Sequence, residues 1–135
     1  MLCLDTNVVV ALLAGRKPAI RSRFDEARLI DTPMALSVIV LFELRFAAAA
    51  SARREGNRRA LEAFLEAGVE VLAFDRDDAA EAGAIRAHLR ALGKPIGPYD
   101  ILIAAQARRR GATLVTANLR EFERVPGLQV TDWAA

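Results

Sequence analysis

Two polar side chains each follow an apolar, strand-like run of residues. Asp5 comes directly after Leu2–Leu4, and Asn118 comes almost directly after Thr113–Thr116. In open α/β sheets, ligands bind beyond the carboxyl ends of the strands, so we expect both side chains at one edge of a sheet. For Asp5 a structural alternative stays open, because an aspartate here also suits the N-cap of the helix predicted from the run Val8–Leu13.

Glu43 interrupts an apolar helical face. The residues three and four positions away, which share its side of a helix, are all apolar: Ile39, Val40, Phe46 and Ala47. An unpaired carboxylate buried on such a face costs several kcal/mol, so it requires a positive partner. Arg45 lies two residues away on another face and is poorly placed for that role. The break in the pattern favours a functional carboxylate at Glu43.

Asp100 stands in the first turn of a predicted helix. The rigid segment Gly97–Tyr99 fixes where this helix begins, and its neighbours Ile103 and Ala104 are apolar. The helix dipole and the free N–H groups of a first turn favour an anion. Asp100 is therefore either a third functional carboxylate or an acid that only stabilises the helix.

Three carboxylates that meet at one edge repel one another, which raises their pKa values unless a cation lies among them. Oxygen ligands of this kind suit Mg²⁺ or Mn²⁺ rather than zinc, which prefers nitrogen and sulfur. The chain has one histidine, His88, and one cysteine, Cys3, which excludes a histidine pair, a Cys–His dyad and a zinc cluster. The chemistry that remains is metal-assisted hydrolysis of a phosphodiester.

The composition predicts one compact globular domain over residues 1–135. Hydrophobic residues make up 53% of the chain and charged residues 27%, which is unlike a disordered segment. No apolar stretch is long enough to span a bilayer, and the first residues lack the basic start of a signal peptide. With a single cysteine, this pattern predicts a cytoplasmic protein without disulfides.

The net charge is only +2, but arginines cluster at positions 53–54, 58–59 and 108–110. Such clusters either attract phosphates or simply face solvent.

The alternation of apolar runs and helical segments predicts a three-layer α/β domain with a small, mostly parallel sheet flanked by helices. The predicted strands are Leu2–Leu4, Met34–Leu36, Val69–Leu72, Thr113–Thr116 and Leu128–Val130. The predicted helices are Val8–Leu13, Ala19–Asp25, Val38–Ser51, Asn57–Ala67, Asp75–Leu92 and Tyr99–Arg110. Two prolines and a glycine make Lys94–Pro98 a loop. The helix that begins at Val38 is apolar nearly all round, which predicts burial on two sides and so a homodimer.

Four short motifs together resemble the PIN-domain ribonucleases and, within them, the VapC-type toxins of bacterial toxin–antitoxin pairs. They are the start Leu4–Asn7, the stretch from Ser37 through Glu43 and Leu44, the segment Gly97–Ala104 and the segment Val115–Phe122. Each motif alone is weak, but four in this order and at this spacing are specific. The resemblance covers the chain from end to end.

The resemblance implies a Mg²⁺-dependent endoribonuclease that cleaves RNA with a metal-activated water, with Mn²⁺ as the alternative ion. The family includes enzymes that act on tRNA, so tRNA is the first expected substrate. The resemblance also implies a homodimer and a VapB-type antitoxin that keeps the enzyme silent. Carried over by position, the catalytic residues are Asp5, Glu43, Asp100 and Asn118, and the direct metal ligands are Asp5 and Asp100.

Further roles follow from the same resemblance. The hydroxyls of Thr6 and Thr116 would support the carboxylates through hydrogen bonds. The fourth acidic position of the family falls at Asn118, whose amide lacks the charge of a carboxylate, and Glu121, three residues on, would compensate. Apart from the resemblance, Arg108 lies two turns along the helix that carries Asp100 and on the same face, and its charge predicts contact with the phosphates of the RNA backbone.

Two other interpretations stay open at this point. A haloacid-dehalogenase-like phosphatase also begins with a strand followed by an aspartate, but it requires a second aspartate two residues later, where this chain has Asn7. A catalytically weak PIN-like module that only binds RNA or protein would tolerate Asn118. The acids Asp5, Glu43 and Asp100 favour the nuclease over both.

Overall fold

A computed structural model describes all 135 residues and contains a five-stranded sheet in which all neighbouring strands are parallel. The strands are β1 (Leu2–Leu4), β2 (Met34–Ser37), β3 (Glu70–Leu72), β4 (Thr113–Val115) and β5 (Gln129–Thr131). The helices are α1 (Thr6–Ala14), α2 (Pro18–Leu29), α3 (Val38–Ala50), α4 (Arg54–Leu65), α5 (Arg76–Ala91), α6 (Pro98–Arg109) and α7 (Leu119–Phe122). No helix is long and apolar enough to cross a bilayer.

The order of the strands across the sheet is β3-β2-β1-β4-β5. The chain adds β2 and β3 on one side of β1, then returns to place β4 and β5 on the other side. The direction of strand addition therefore reverses between β1 and β4. In open parallel sheets, ligands bind in the crevice beyond the carboxyl ends of the strands at this point of reversal.

The helices form two layers around the sheet. Helices α1 to α4 pack against one another, and α5 packs along α6. In the central strand, Cys3 and Leu4 point to opposite faces of the sheet and both are buried. Burial on both faces is what helix-covered parallel sheets require. The predicted three-layer α/β architecture is confirmed.

The predicted strands agree with the structure to within one residue at each end, whereas several helix bounds differ. Helix α2 is longer than predicted, and Pro18 is its first residue rather than a break, because the first helical position needs no N–H donor. Lys17 makes the turn before it with a φ of 56°. Helix α4 begins at Arg54 instead of Asn57. The short α7 was not predicted, since four residues are too few to show a helical period.

Helices α5 and α6 are joined around one buried acid. The side chain of Asp78 is fully buried and accepts hydrogen bonds from Arg109 at 2.6 Å and Arg110 at 2.9 Å. It also accepts from the backbone N–H of Asp75 at 3.0 Å, which completes a capping box at the start of α5. Burial raises the pKa of Asp78, but the hydrogen bonds from Arg110, Asp75 and Arg109 outweigh it and hold that pKa well below its usual range. These contacts fix the position of α6, whose first turn carries Asp100.

Asp78→Ala is expected to lower the free energy of unfolding by about 3 kcal/mol, because two partly buried arginines lose their shared acceptor. The folded pKa of Asp78 lies below the unfolded value of about 3.9. Its contribution is therefore present above that pH and is lost as the pH falls through the folded value. Urea unfolding at neutral pH and at about pH 3 should show a smaller difference in acid. Asp77→Ala, at a side chain that is 78% exposed, is the control; an equal loss in both variants would contradict this role.

Candidate active site

Asp5 is fixed where β1 meets α1, at the point where the strand order reverses. Its Oδ1 accepts a hydrogen bond from the backbone N–H of Thr6 at 2.9 Å, so it is the N-cap of α1. Its Oδ2 accepts from the hydroxyl of Thr116 at 2.8 Å. Thr116 directly follows β4, which pairs with β1. The parallel pairing of these strands therefore brings Asp5 and Thr116 together although 111 positions separate them.

Glu43 reaches the same edge from α3. The hydroxyl of Thr6, in the first turn of α1, donates a hydrogen bond of 2.7 Å to Glu43 Oε1. Helix α3 begins at the carboxyl end of β2, where Ser37 caps it by accepting from the N–H of Ile39 at 2.9 Å. Because β2 lies beside β1, this cap directs the second turn of α3 towards α1. The expected apolar surroundings hold only in part, since Glu43 is half-buried and its partner is a hydroxyl rather than a cation.

Asp100 lies at the start of α6, against the loop that precedes this helix. A Cβ atom added at Gly97 would lie 3.3 Å from Asp100 Oδ2 and 3.7 Å from Glu121 Oε1. The backbone N–H of Gly97 donates a hydrogen bond of 2.7 Å to Glu121 Oε1. Glycine at position 97 thus lets the backbone approach both acids closely. A larger residue there would push the carboxylate of Asp100 away from the edge.

Asn118 supports the site through two contacts. Its backbone N–H donates to the hydroxyl of Thr116 at 3.0 Å, and this threonine in turn donates to Asp5. Its side-chain amide donates a hydrogen bond to Glu121 Oε2. An amide at this position therefore holds Glu121 in place, which a carboxylate could not do without repulsion.

Burial and neighbouring acids raise the pKa of two carboxyl groups at this edge. The pKa of Asp100 is raised to about 7, first by burial, then by the hydrogen bond and charge of Glu121, and then by the charges of Asp5 and Glu43. Burial also raises the pKa of Asp5, more than its hydrogen bonds from Thr116 and Thr6 lower it, and nearby negative charges add to the rise. All four acids therefore act on one another electrostatically.

Glu121 and Asp100 share a hydrogen bond, and the proton resides on Asp100. Burial raises the pKa of Glu121, but the hydrogen bonds from Gly97, Asp100 and Asn118 outweigh it and hold that pKa below its ordinary value. Near neutral pH, one proton thus offsets part of the negative charge that this edge would otherwise carry.

The donor atoms at this edge fit a hard divalent cation. They are carboxylate oxygens, with threonine hydroxyls beside them, and this set suits Mg²⁺ or Mn²⁺. A cation would also offset the burial and the repulsion that raise the pKa of Asp100 and of Asp5. The structure has no group of three or more His, Cys, Asp or Glu side chains arranged to hold an ion. Instead of the expected three-carboxylate cluster, the acids form two hydrogen-bonded sets, Asp5 and Glu43 with the threonines and Asp100 with Glu121.

Arg108 is engaged in structural contacts. Its Nε donates to Glu81 Oε2 at 2.8 Å, and its Nη1 donates to the carbonyl of Pro126 at 3.1 Å. These bonds tie α6 to α5 and to the segment before β5. Eight residues of helix separate Arg108 from Asp100, a rise of about 12 Å. The geometry therefore favours a structural role for Arg108 over the predicted contact with RNA.

Sequence reasoning missed the contacts that hold the loop 94–97. Arg124 Nη1 donates to the carbonyl of Pro95 at 3.0 Å, and Glu121 accepts from the N–H of Gly97. The segment around α7 therefore holds the start of α6 in place. The available signal in the sequence was Gly97 directly before Pro98, because a glycine often marks a place where other groups approach the backbone closely.

Comparison with known proteins agrees with this geometry. The profile of the PIN domain matches residues 2–128. The chain belongs to the PIN-domain family. It is 42% identical, over 130 residues and 96% of each chain, to the tRNA(fMet)-specific endonuclease VapC of Salmonella typhimurium. The resemblance to VapC proteins drawn from the sequence motifs is confirmed.

Solved structures of family members have the same fold. The DNA-bound VapBC of Salmonella typhimurium matches with a TM-score of 0.89 and 41% identity, over 98% of this chain and 97% of that one. VapBC2 of Rickettsia felis, bound to a fragment of promoter DNA, matches with a TM-score of 0.90 and 32% identity, over 98% of each chain. These similarities support the PIN-like assignment over the full length of the sheet and its helices.

In the absence of divalent ions, Asp100→Asn is expected to gain stability over the wild type as the pH rises. The folded pKa of Asp100 is raised to about 7, above the unfolded value of about 3.9. The stability that the bound proton contributes is complete below the unfolded value and is lost as the pH rises through the folded value. Asparagine does not titrate, so it escapes this loss.

Thermal unfolding of the wild type and of Asp100→Asn in EDTA measures this difference in stability. The pH is varied from the unfolded pKa of about 3.9 to above the folded pKa of about 7. Asp77→Asn, on an exposed acid of α5, should instead follow the wild type. Parallel pH profiles for wild type and Asp100→Asn would show that the crowding of acids at this edge does not affect the stability of the fold.

Proposed function

We propose that this chain is a divalent-metal-dependent endoribonuclease and the toxin of a toxin–antitoxin pair. The observation that carries the proposal is that two sets of acids, Asp5 with Glu43 and Asp100 with Glu121, lie at the reversal point of a parallel sheet. The full-length similarity to a named VapC endonuclease supports the reaction class. Because that relative is specific for tRNA(fMet), tRNA is the substrate we propose to test first.

In the proposed mechanism, Asp5 and Asp100 would hold Mg²⁺, or Mn²⁺, and Glu43 would complete the site. The bound ion supplies positive charge that stabilises the reacting phosphodiester and makes water a stronger acid. Thr116 and the N–H of Thr6 fix the two oxygens of Asp5. Glu43, oriented by the hydroxyl of Thr6, directs or deprotonates the attacking water. No protein nucleophile is required.

Glu121 and Asn118 support the proposed ligands Asp5 and Asp100 and are not proposed as ligands themselves. Asn118 provides no charge, so we propose a site for one ion. Glu121 keeps its negative charge beside Asp100 because Gly97 and Asn118 donate to it. A bound cation would favour the ionised form of Asp100, and the charge of Glu121 would remain nearby.

Asp5→Asn and Asp100→Asn should each lower RNA cleavage by at least about 100-fold, since metal activation of water contributes several kcal/mol. Each substitution keeps the shape of the side chain and removes one negative charge. A labelled tRNA is incubated with Mg²⁺, with Mn²⁺ and with EDTA, and the products are separated by size. Asp77→Asn serves as the matched control because that acid is exposed on α5.

Undiminished cleavage in EDTA, or by either asparagine variant, would contradict the carboxylate–metal mechanism. Binding of tRNA without cleavage by the wild type would favour the second candidate, a catalytically weak PIN-like module that binds RNA or protein. This second candidate rests on one observation: the fourth acidic position of the family is occupied here by the uncharged amide of Asn118.

We infer that the partner is a VapB-type antitoxin, as in the VapBC complexes that match this fold. An apolar groove of about 220 Å³ between α1, α3 and α4, lined by residues such as Leu13, Leu44 and Leu61, supports a protein partner. An arginine or lysine of the antitoxin placed among the carboxylates would replace the charge of the metal and block the reaction. A complex in which the antitoxin leaves this edge open would contradict that mode of inhibition.

We also propose a homodimer formed through the outer face of α3. Phe46 is 67% exposed on this face, and Ala49, three residues on, is exposed beside it. An apolar helical face in contact with water favours burial against a second copy. Phe46→Glu should therefore convert a dimer into a species of 14.7 kDa, the mass of one chain.

Sedimentation at micromolar concentration measures this change. Leu29→Glu is the control, because Leu29 is 85% exposed but lies on α2. A wild type that sediments only as a single chain, or a Phe46→Glu variant that stays dimeric, would contradict the proposed contact.

A further inference from the structure

The exposed aromatic residues of this chain are concentrated in one place. The chain has six phenylalanines, one tyrosine and one tryptophan. Five of these eight are buried or partly buried, namely Phe24, Phe64, Phe74, Phe122 and Trp133. The other three are exposed, and they lie on the outer face of α3 and in the first turn of α6. These are the two helices that carry Glu43 and Asp100.

Two of the exposed rings touch each other across the two helices. Phe42 and Tyr99 have ring centroids 5.6 Å apart and planes inclined by 71°, an edge-to-face contact. Phe42 is 53% exposed and Tyr99 is 48% exposed, so about half of each side chain remains open to solvent. The contact holds both rings in a defined orientation at the surface. We call this pair the aromatic platform.

The aromatic platform has a fixed position relative to the carboxylates. Phe42 directly precedes Glu43, and Tyr99 directly precedes Asp100. Helices α3 and α6, which carry these two acids, also contact each other. A polymer with a phosphate at the carboxylates would therefore place an adjoining group over the rings.

We propose that the aromatic platform is a base-stacking subsite, in which Phe42 and Tyr99 hold the nucleobase next to the scissile phosphate of the RNA. This inference rests on the proposed ribonuclease function. Stacking on aromatic rings requires a base that is free of its own stack, which loops and single strands provide. The phenol of Tyr99 suits this place, because its ring is apolar while its hydroxyl stays in water.

The position of the aromatic platform favours a base over a second copy of the chain. Phe46, on which the proposed subunit contact is centred, lies one helical turn beyond Phe42 on α3, and it is Phe42 that Tyr99 holds against α6. Phe42 and Tyr99 are instead the residues adjacent in sequence to the acids, and their contact spans α3 and α6 within one chain. The acids beside the rings also favour RNA over a protein surface. A phosphodiester can bind there together with a cation, whereas an apolar protein surface would not suit neighbouring charges.

The test uses a short single-stranded RNA with one mapped cleavage site, and versions that lack the base on either side of that site. In the wild type, removal of one of these two bases should lower kcat/KM by about 5- to 150-fold, the range expected for base–aromatic stacking. Phe42→Ala and Tyr99→Ala should cut the intact RNA more slowly and should show almost no further loss when that base is removed. Tyr99→Phe, which keeps the ring, should respond to base removal as the wild type does.

Phe46→Ala is the matched control, because it removes an exposed aromatic ring from the same helix and should leave the response to base removal unchanged. An equal response to base removal in wild type, Phe42→Ala and Tyr99→Ala would overturn the proposal. So would sedimentation showing that Phe42→Ala and Tyr99→Ala separate the subunits, since the rings would then belong to a contact between copies.

A binding measurement decides the proposal independently of cleavage. RNA carrying 2-aminopurine beside the mapped site, or at each position in turn, is mixed with protein in Mg²⁺, because the acids would repel RNA without a cation, and its fluorescence is recorded before cleavage products accumulate. Stacking on the aromatic platform should quench its fluorescence with the wild type and Tyr99→Phe, but not with Tyr99→Ala. Quenching without cleavage in Mg²⁺ would refute the ribonuclease and retain the platform. The absence of quenching in a wild type that still cleaves would refute the platform and retain the ribonuclease.

Discussion

The burial of several acids close to one another is the constraint on which the structure of this site depends. The parallel sheet directs Asp5, Glu43 and Asp100 to one edge, and α7 adds Glu121. Each of the four has a donor or a shared proton that offsets part of its charge: threonine hydroxyls for two, a glycine N–H and an amide for the third, and the proton on Asp100. These compensations are weaker than the charge of a divalent cation, which is why we propose that this edge binds one. Without a bound cation, the negative charge of these acids would repel the phosphates of RNA.

The sequence predicts the components of this edge because each breaks a local pattern. Glu43 interrupts an apolar helical face, and Asp5 ends a strand that is otherwise apolar. Such breaks are visible without a structure, since helical and strand periods are properties of the sequence alone. The strand order was not predicted, yet it determines why Asp5 and Thr116 meet. Only pairing of β1 with β4 brings these two residues together.

The parts that could not be predicted depend on contacts between distant segments. Nothing in the sequence around Glu121 indicates that it accepts from Gly97, because this contact requires α7 to lie against the loop before α6. Arg108 was assigned to RNA from its charge, whereas folding brings Glu81 and the Pro126 carbonyl to it. The sequence likewise shows an apolar α3 but not that Phe42 meets Tyr99. Side-chain partners, unlike strands and helices, are set by tertiary packing.

The central claim is that this edge binds a divalent cation through Asp5 and Asp100. Calorimetric titration of the purified chain with Mn²⁺ and with Mg²⁺, in the absence of RNA and antitoxin, tests it most directly. The account predicts one ion per chain, bound more weakly below neutral pH, where Asp100 retains its proton. Asp5→Asn and Asp100→Asn should remove this binding, and Asp77→Asn should leave it unchanged. Binding that persists in both asparagine variants, or no binding by the wild type, would contradict the claim.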